Sequence, residues 1–124
     1  MEIITYVRQA AITHQDSLGN NGRTEAGDVQ MMSADCGIRD SEYNFEAEST
    51  KIFQIWIQPS SRGGKPSSGA KPFPKQNRSG RFVTLASGTK QDDGEALPIR
   101  ACARVFEATL KAGETWNTAR RRGA

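Results

Sequence analysis

A chain of 124 residues with 17 Lys and Arg against 14 Asp and Glu is the size of one small domain and carries a formal charge of +3. Leu, Ile, Val and Phe together number only 21, a lean composition for a core, yet so small a net charge does not complete the signature of disorder. The longest apolar runs are a few residues, which excludes a membrane-spanning helix, and MEIITYVRQA lacks the basic start and apolar stretch of a signal peptide. The expectation is a cytoplasmic domain with a folded core and long polar loops.

In chain order, EIITYV is β-branched and aromatic and reads as a strand. It places Ile3, Thr5 and Val7 on one face and Ile4 and Tyr6 on the other. Turn signals follow at Gly19-Asn20-Asn21-Gly22 and at Ala26-Gly27-Asp28. Asp16 and Ser17 are expected to cap the first of these turns. DVQMMSA is the next strand, and of the adjacent Met31 and Met32 one must face inward. KIFQIWIQ is the most apolar run, with Phe53, Ile55 and Ile57 opposite Ile52, Gln54 and Trp56. Tyr43 and Trp56 are expected to be packing residues.

Residues 59–81 hold 4 Gly, 4 Pro, 5 Ser and six basic residues with no acid. Prolines block regular ladders, so the segment reads as a long exposed loop joining two groups of strands. The basic pI arises from this loop. Phe73 is its only ring for stacking on bases, so nucleic acid is not the expected partner. RFVTLAS and RVFEATLKAGE complete the strands. The organisation is therefore a first strand group over 1–58, the loop over 59–81, a second strand group over 82–119 and a basic tail over 120–124. Short strands separated by Gly-rich turns point to an all-β sandwich or barrel.

Cys36 and Cys102 have no CxxC partner, which excludes a zinc site of that kind, and a cytosolic chain keeps them as reduced thiols. His14 is the only histidine. Any imidazole-based metal site or Ser-His-Asp triad built within the chain must use it.

Three segments, THQDSLGNNG, AGDVQMMSADCGIRDSEYN and FQIWIQP, occur in this order and at close spacing. Together they resemble the pirin family, the bicupin proteins of the quercetinase-like branch. The resemblance runs from Met1 to about Arg122 and includes GRFVTLASGTKQDDGEALPI and ATLKAGE. It implies a cupin-type, jelly-roll β-barrel, here an incomplete single barrel corresponding to part of the family's N-terminal domain. It also implies a metal, usually iron, and links to quercetin dioxygenation and to transcriptional regulation.

The family's ligands are an H-x-H pair, a third histidine, and a glutamate two residues after it. The pair lies ahead of the segment matching MEIITYV and has no counterpart from Met1 onward. The third histidine belongs to a GIxHSEYN stretch, which reads here Gly37-Ile38-Arg39-Asp40-Ser41-Glu42-Tyr43-Asn44. Asp40 stands at the histidine position and Glu42 at the glutamate position. By the same resemblance His14 is a scaffold residue near a turn. Glu2 matches a glutamate that is no ligand in pirins and reads as an exposed terminal acid.

On a strand, Asp40 and Glu42 point to the same side. Two hard oxygen donors make a weak site, suited to Mg or Ca with several waters and not to redox iron. The expectation is a degenerate cupin without dioxygenase activity, no bound cofactor, and a binding or interaction role toward an unidentified ligand. The alternatives are an iron-dependent quercetin 2,3-dioxygenase-type enzyme completed by a partner chain or an upstream segment, and a protein associated with transcription regulators. An open barrel leaves strand edges and core exposed, so a homodimer, with or without exchanged strands, is expected.

Overall fold

In a computed structural model the described residues are 1–17, 19, 21–33, 39–60, 67–71, 82–89 and 96–115. They form strands and no helix, in the order β1 (Glu2–Gln9), β2 (Ala11–Asp16), β3 (Asn21–Glu25), β4 (Val29–Ser33), β5 (Asp40–Tyr43), β6 (Lys51–Ile57), β7 (Ser67–Lys71), β8 (Val83–Ser87), β9 (Leu97–Pro98) and β10 (Arg104–Glu107). The strand with the most β-branched start, β1, becomes the centre. It pairs antiparallel with β4 on one side and β6 on the other, in a sheet ordered β6-β1-β4-β7. Two three-stranded sheets, β10-β8-β9 and β3-β2-β5, complete the architecture.

The alternation read in EIITYV holds, and both of its faces are covered. Ile4 and Val7, on opposite faces, are each fully buried. On the first face Ile4, Val29 and Met31 pack with Leu85, Leu97 and Ile99 from the β10-β8-β9 sheet and its connection. On the second face lie Thr5, Gln30 and Met32, and Gln30 meets side chains of the β3-β2-β5 sheet. Met31 and Met32 are therefore both buried, at 7% and 5% exposure. Adjacent strand residues point to opposite sides, and here neither side is solvent.

The turns form where glycine was read. Gly27 takes φ +87° between β3 and β4, and Gly19 takes φ +88° after β2. Left-handed backbone of this kind costs glycine nothing. Ala10 adopts φ +61° at the corner between β1 and β2, where its Cβ does carry a cost.

Three expectations are corrected. The segment 59–81 is not loop throughout, because Ser67–Lys71 forms β7 and pairs antiparallel with β4. That stretch contains no proline, and a ladder needs only free backbone groups. Residues 61–66 and 72–81 lie outside the described residues, as do Cys36 and the tail 120–124. Glu2 is not an exposed terminal acid but is 1% exposed, because β1 runs through the middle of the molecule from its first residue. Tyr43 and Trp56 are not core packing residues. They are 47% and 62% exposed, since β5 and β6 are the outer strands of their sheets. Outer strands also explain why the most apolar run of the sequence buries so little.

Candidate functional site

The sheet β3-β2-β5 carries the residues singled out for chemistry. β2 and β5 run antiparallel with His14 opposite Glu42 and Asp16 opposite Asp40. Directly opposite residues share a face. One imidazole and three carboxylates thus form a two-by-two array on one face of this sheet. Asp40 and Glu42 do project to the same side, as the spacing of two along a strand requires.

Gln30, from β4, joins the array to the central sheet. Its Nε2 donates to Glu42 Oε1 at 3.0 Å, and its Oε1 accepts from Thr24 Oγ1 at 2.9 Å. The same Oε1 lies 3.4 Å from His14 Nδ1. A neutral ring that donates from Nδ1 leaves a lone pair on Nε2. That Nε2 is buried without a hydrogen bond and sits 3.8 Å from Asp16 Oδ2. His14 is therefore a member of the polar cluster in mid-strand and not a residue of the turn.

Burial pushes the Glu42 carboxyl up from its ordinary range. The negative charge of Asp40 and a hydrogen bond with Asp40 push the same way, and the Gln30 amide opposes them.

At the rim, Arg23 of β3 pairs with Glu25 at 2.6 Å and with Glu46. Its guanidinium holds the Glu46 carboxyl below the usual range. Ser17 Oγ accepts from Arg39 N at 3.0 Å, and Asp16 O accepts from Gly19 N at 3.2 Å. Asp16 closes the turn through its backbone carbonyl, whereas the Ser17 hydroxyl, expected to cap the turn, holds the segment that leads into β5. Asp16 also points its buried side chain into the array.

Gln30 and Thr24 were not singled out in the sequence. The available signal was an amide inside the otherwise apolar VQMM, a buried polar residue that demands partners. The exposed residue Cys102 is a free thiol. A shallow groove of about 370 Å³ lies between β3 and β7, lined by Arg23, Glu25, Asp28 and Lys71 among others. Neither Asp40 nor Glu42 lines it.

The donor set does not fit a redox iron centre. Such a centre uses two imidazoles and a carboxylate with open positions. Here the residues at the relevant spacing are two carboxyls, Asp40 and Glu42, and one of them is engaged by the Gln30 amide. The single imidazole approaches Asp16. Among the described residues no group of three or more His, Cys, Asp or Glu is placed to hold a metal ion.

An all-β fold of stacked, incompletely closed sheets, with a polar cluster between the central sheet and one flank, defines a cupin-type protein. Bacterial pirin YhhW from Escherichia coli, solved in complex with nickel(II), superposes with a TM-score of 0.76 at 35% identity, over 87% of this chain and 44% of that one. A pirin-like protein from Caulobacter vibrioides is 72% identical over 115 residues, 93% of this chain and 49% of its own length. A quercetin 2,3-dioxygenase from Escherichia coli K12 is 49% identical over 67 residues, 53% of this chain and 29% of its own length. Residues 1–57 match the pirin family model. The chain belongs to the pirin family, and it spans about half the length of the pirin-like relative from Caulobacter.

Proposed function

We propose that this chain is a pirin-like cupin module that carries out no metal-dependent dioxygenation of its own and acts by binding a ligand or partner in the cytoplasm. One observation carries the reading. At the positions where the family places histidine and glutamate stand Asp40 and Glu42, two carboxyls on one face of β5, and Glu42 Oε1 already accepts from Gln30 Nε2 at 3.0 Å. Burial and the neighbouring Asp40 raise the Glu42 carboxyl, which disfavours the charged form that a cation needs. Any divalent ion held there is a weakly bound Mg or Ca that keeps most of its water.

The test is metal analysis of the purified protein followed by oxygen uptake with quercetin. Iron or nickel far below one ion per chain, with no uptake above buffer, is the expected result. A second reading is an iron-dependent quercetin 2,3-dioxygenase completed by residues from a partner chain or an upstream segment. It is favoured by the likeness to the quercetin 2,3-dioxygenase of Escherichia coli. Stoichiometric iron together with turnover of the flavonol decides for that reading and against the first.

A further inference from the structure

Asn21 is the one asparagine of the chain that a glycine follows. Asn21 and Gly22 open β3 at the end of the β2–β3 hairpin, and both are exposed. A side-chain amide next to a glycine is set up to react with its own backbone, because glycine has no Cβ to shield its nitrogen from the neighbouring side-chain carbonyl. Gly22 is open in space as well. A Cβ built on it would meet no atom within 4 Å, and its backbone is not left-handed.

We propose that Asn21-Gly22 is a site of spontaneous self-modification, at which the Asn21 amide is lost as ammonia at a rate set by the end of the β2–β3 ladder, leaving isoaspartate and aspartate. Gly22 N attacks Asn21 Cγ, a C–N bond forms, and the Cγ–Nδ2 bond breaks. Ammonia leaves with the proton of the Gly22 amide, and a cyclic succinimide remains. Water then opens the ring at either carbonyl. Opening at the main-chain carbonyl leaves isoaspartate, and opening at Cγ leaves aspartate. Neither step needs an oxidant or a reductant.

The ladder controls the attacking nitrogen. Ala26 N donates to Ala10 O at 2.9 Å, which fixes the alternation of bonded and non-bonded pairs between β2 and β3. Counted along the register, His14 and Gly22 are a hydrogen-bonded pair, and Gln15 and Asn21 are not. Gly22 N is therefore engaged by the last such rung among the described residues, and it reacts when that rung opens. Ends of elements are where local opening costs least. The products alter two things. Residues two apart on a strand share a face, and Glu25 already reaches Arg23 at 2.6 Å from that spacing. An aspartate at position 21 stands two residues to the other side of Arg23, is ionised at neutral pH, and competes with Glu25 for the guanidinium. Isoaspartate carries the chain through its Cβ and inserts an extra main-chain atom just before the rung to His14.

The test is incubation of the full chain for weeks at neutral and at mildly alkaline pH, followed by peptide mapping with mass spectrometry. The peptide that holds Asn21 is expected to gain the mass of an amide-to-acid exchange and to split into two products on chromatography. The change is expected to run faster at the higher pH, because the attacking nitrogen must lose its proton. Asp93-Gly94 can isomerise by the same ring but without a change of mass, so the two sites are told apart. Gly22→Ala keeps the fold, since the space around it is open. It is expected to slow the change by on the order of tenfold, about 1.4 kcal/mol in the barrier. In amide hydrogen exchange the Gly22 N–H is expected to exchange faster than that of Thr24, the next bonded position along β3. An Asn21 peptide whose mass stays unchanged at the higher pH overturns the proposal. So does a Gly22→Ala chain that changes as fast as the wild type, or a Gly22 N–H as well protected as that of Thr24.

Discussion

Glu2 offers the sharpest quantitative test of the packing. Its Oε1 accepts from Ser33 Oγ and its Oε2 from Arg100 N at 2.9 Å. The carboxylate thus ties the first strand to β4 and to a segment 98 positions further along the chain. Glu2→Ala leaves two donors without an acceptor, and each orphaned group costs about 1–3 kcal/mol. Ser33 is 1% exposed and pays that cost in full. Arg100 lies at the surface, where water relieves part of it. The expected loss is about 2–4 kcal/mol, a large share of the ~5–15 kcal/mol that holds a typical domain.

Urea unfolding followed by far-UV circular dichroism should show the midpoint falling by on the order of 1–2 M at unchanged slope. Glu2→Gln should cost only about 1 kcal/mol. The amide oxygen serves Arg100 N, and the amide N–H turns to Ser33, whose hydroxyl can accept as well as donate. Combining Glu2→Ala with Ser33→Ala should recover roughly 1–2 kcal/mol relative to additivity. A Glu2→Ala protein within about 0.5 kcal/mol of wild type, the range of ordinary surface changes, would refute the account of this carboxylate.

Other substitutions test other parts. Gly88→Ala should prevent folding or cost at least ~3 kcal/mol, because a Cβ there would overlap the carbonyl of Ala101 and backbone cannot give way as a side chain can; thermal unfolding measures it. Ala10→Gly should raise stability by about 0.5–1 kcal/mol by relieving the left-handed backbone at that corner, read as a higher urea midpoint. Glu42→Gln tests the carboxyl pair through pH. The folded state holds the Glu42 proton more tightly than the ordinary value of 4.5. Stability from this group is therefore fully present below that value and is lost as pH rises through the raised pKa. The neutral amide removes the dependence, so wild type and variant should match near pH 4 and the variant should gain relative to wild type toward pH 7. Parallel curves across that interval would contradict the shift.

The sequence made the strands legible where side chains alternate, and misled where burial depends on position within a sheet. EIITYV, DVQMMSA and KIFQIWIQ all appear as strands at or near the expected bounds. Their pattern alone could not say that β1 would be central and β6 an edge. For that reason the pattern implies an exposed Glu2 and a packed Trp56, when the reverse holds. β7 is hidden because Ser-Ser-Gly-Ala-Lys has no apolar face, and an antiparallel ladder is built by backbone groups that any residue other than proline supplies. The short parallel partner Leu97–Pro98 of β8 has too few residues to show any period. At the candidate site, the common side of Asp40 and Glu42 follows from spacing. The links through Gln30 and His14 cross between sheets, and no local pattern encodes which amide will meet which acid.

The placement of β1 at the centre also bears on how the chain comes off the ribosome. Glu2 and Ile4 are made well before their cover, because Leu97, Ile99 and the backbone of Arg100, which close over them, come more than 90 positions later. At roughly 5–20 residues per second, synthesis leaves this sticky segment uncovered for about 5–20 s before its cover exists. During that interval the nascent polypeptide is a natural client for a chaperone that holds extended apolar segments, and slowing translation should increase its aggregation.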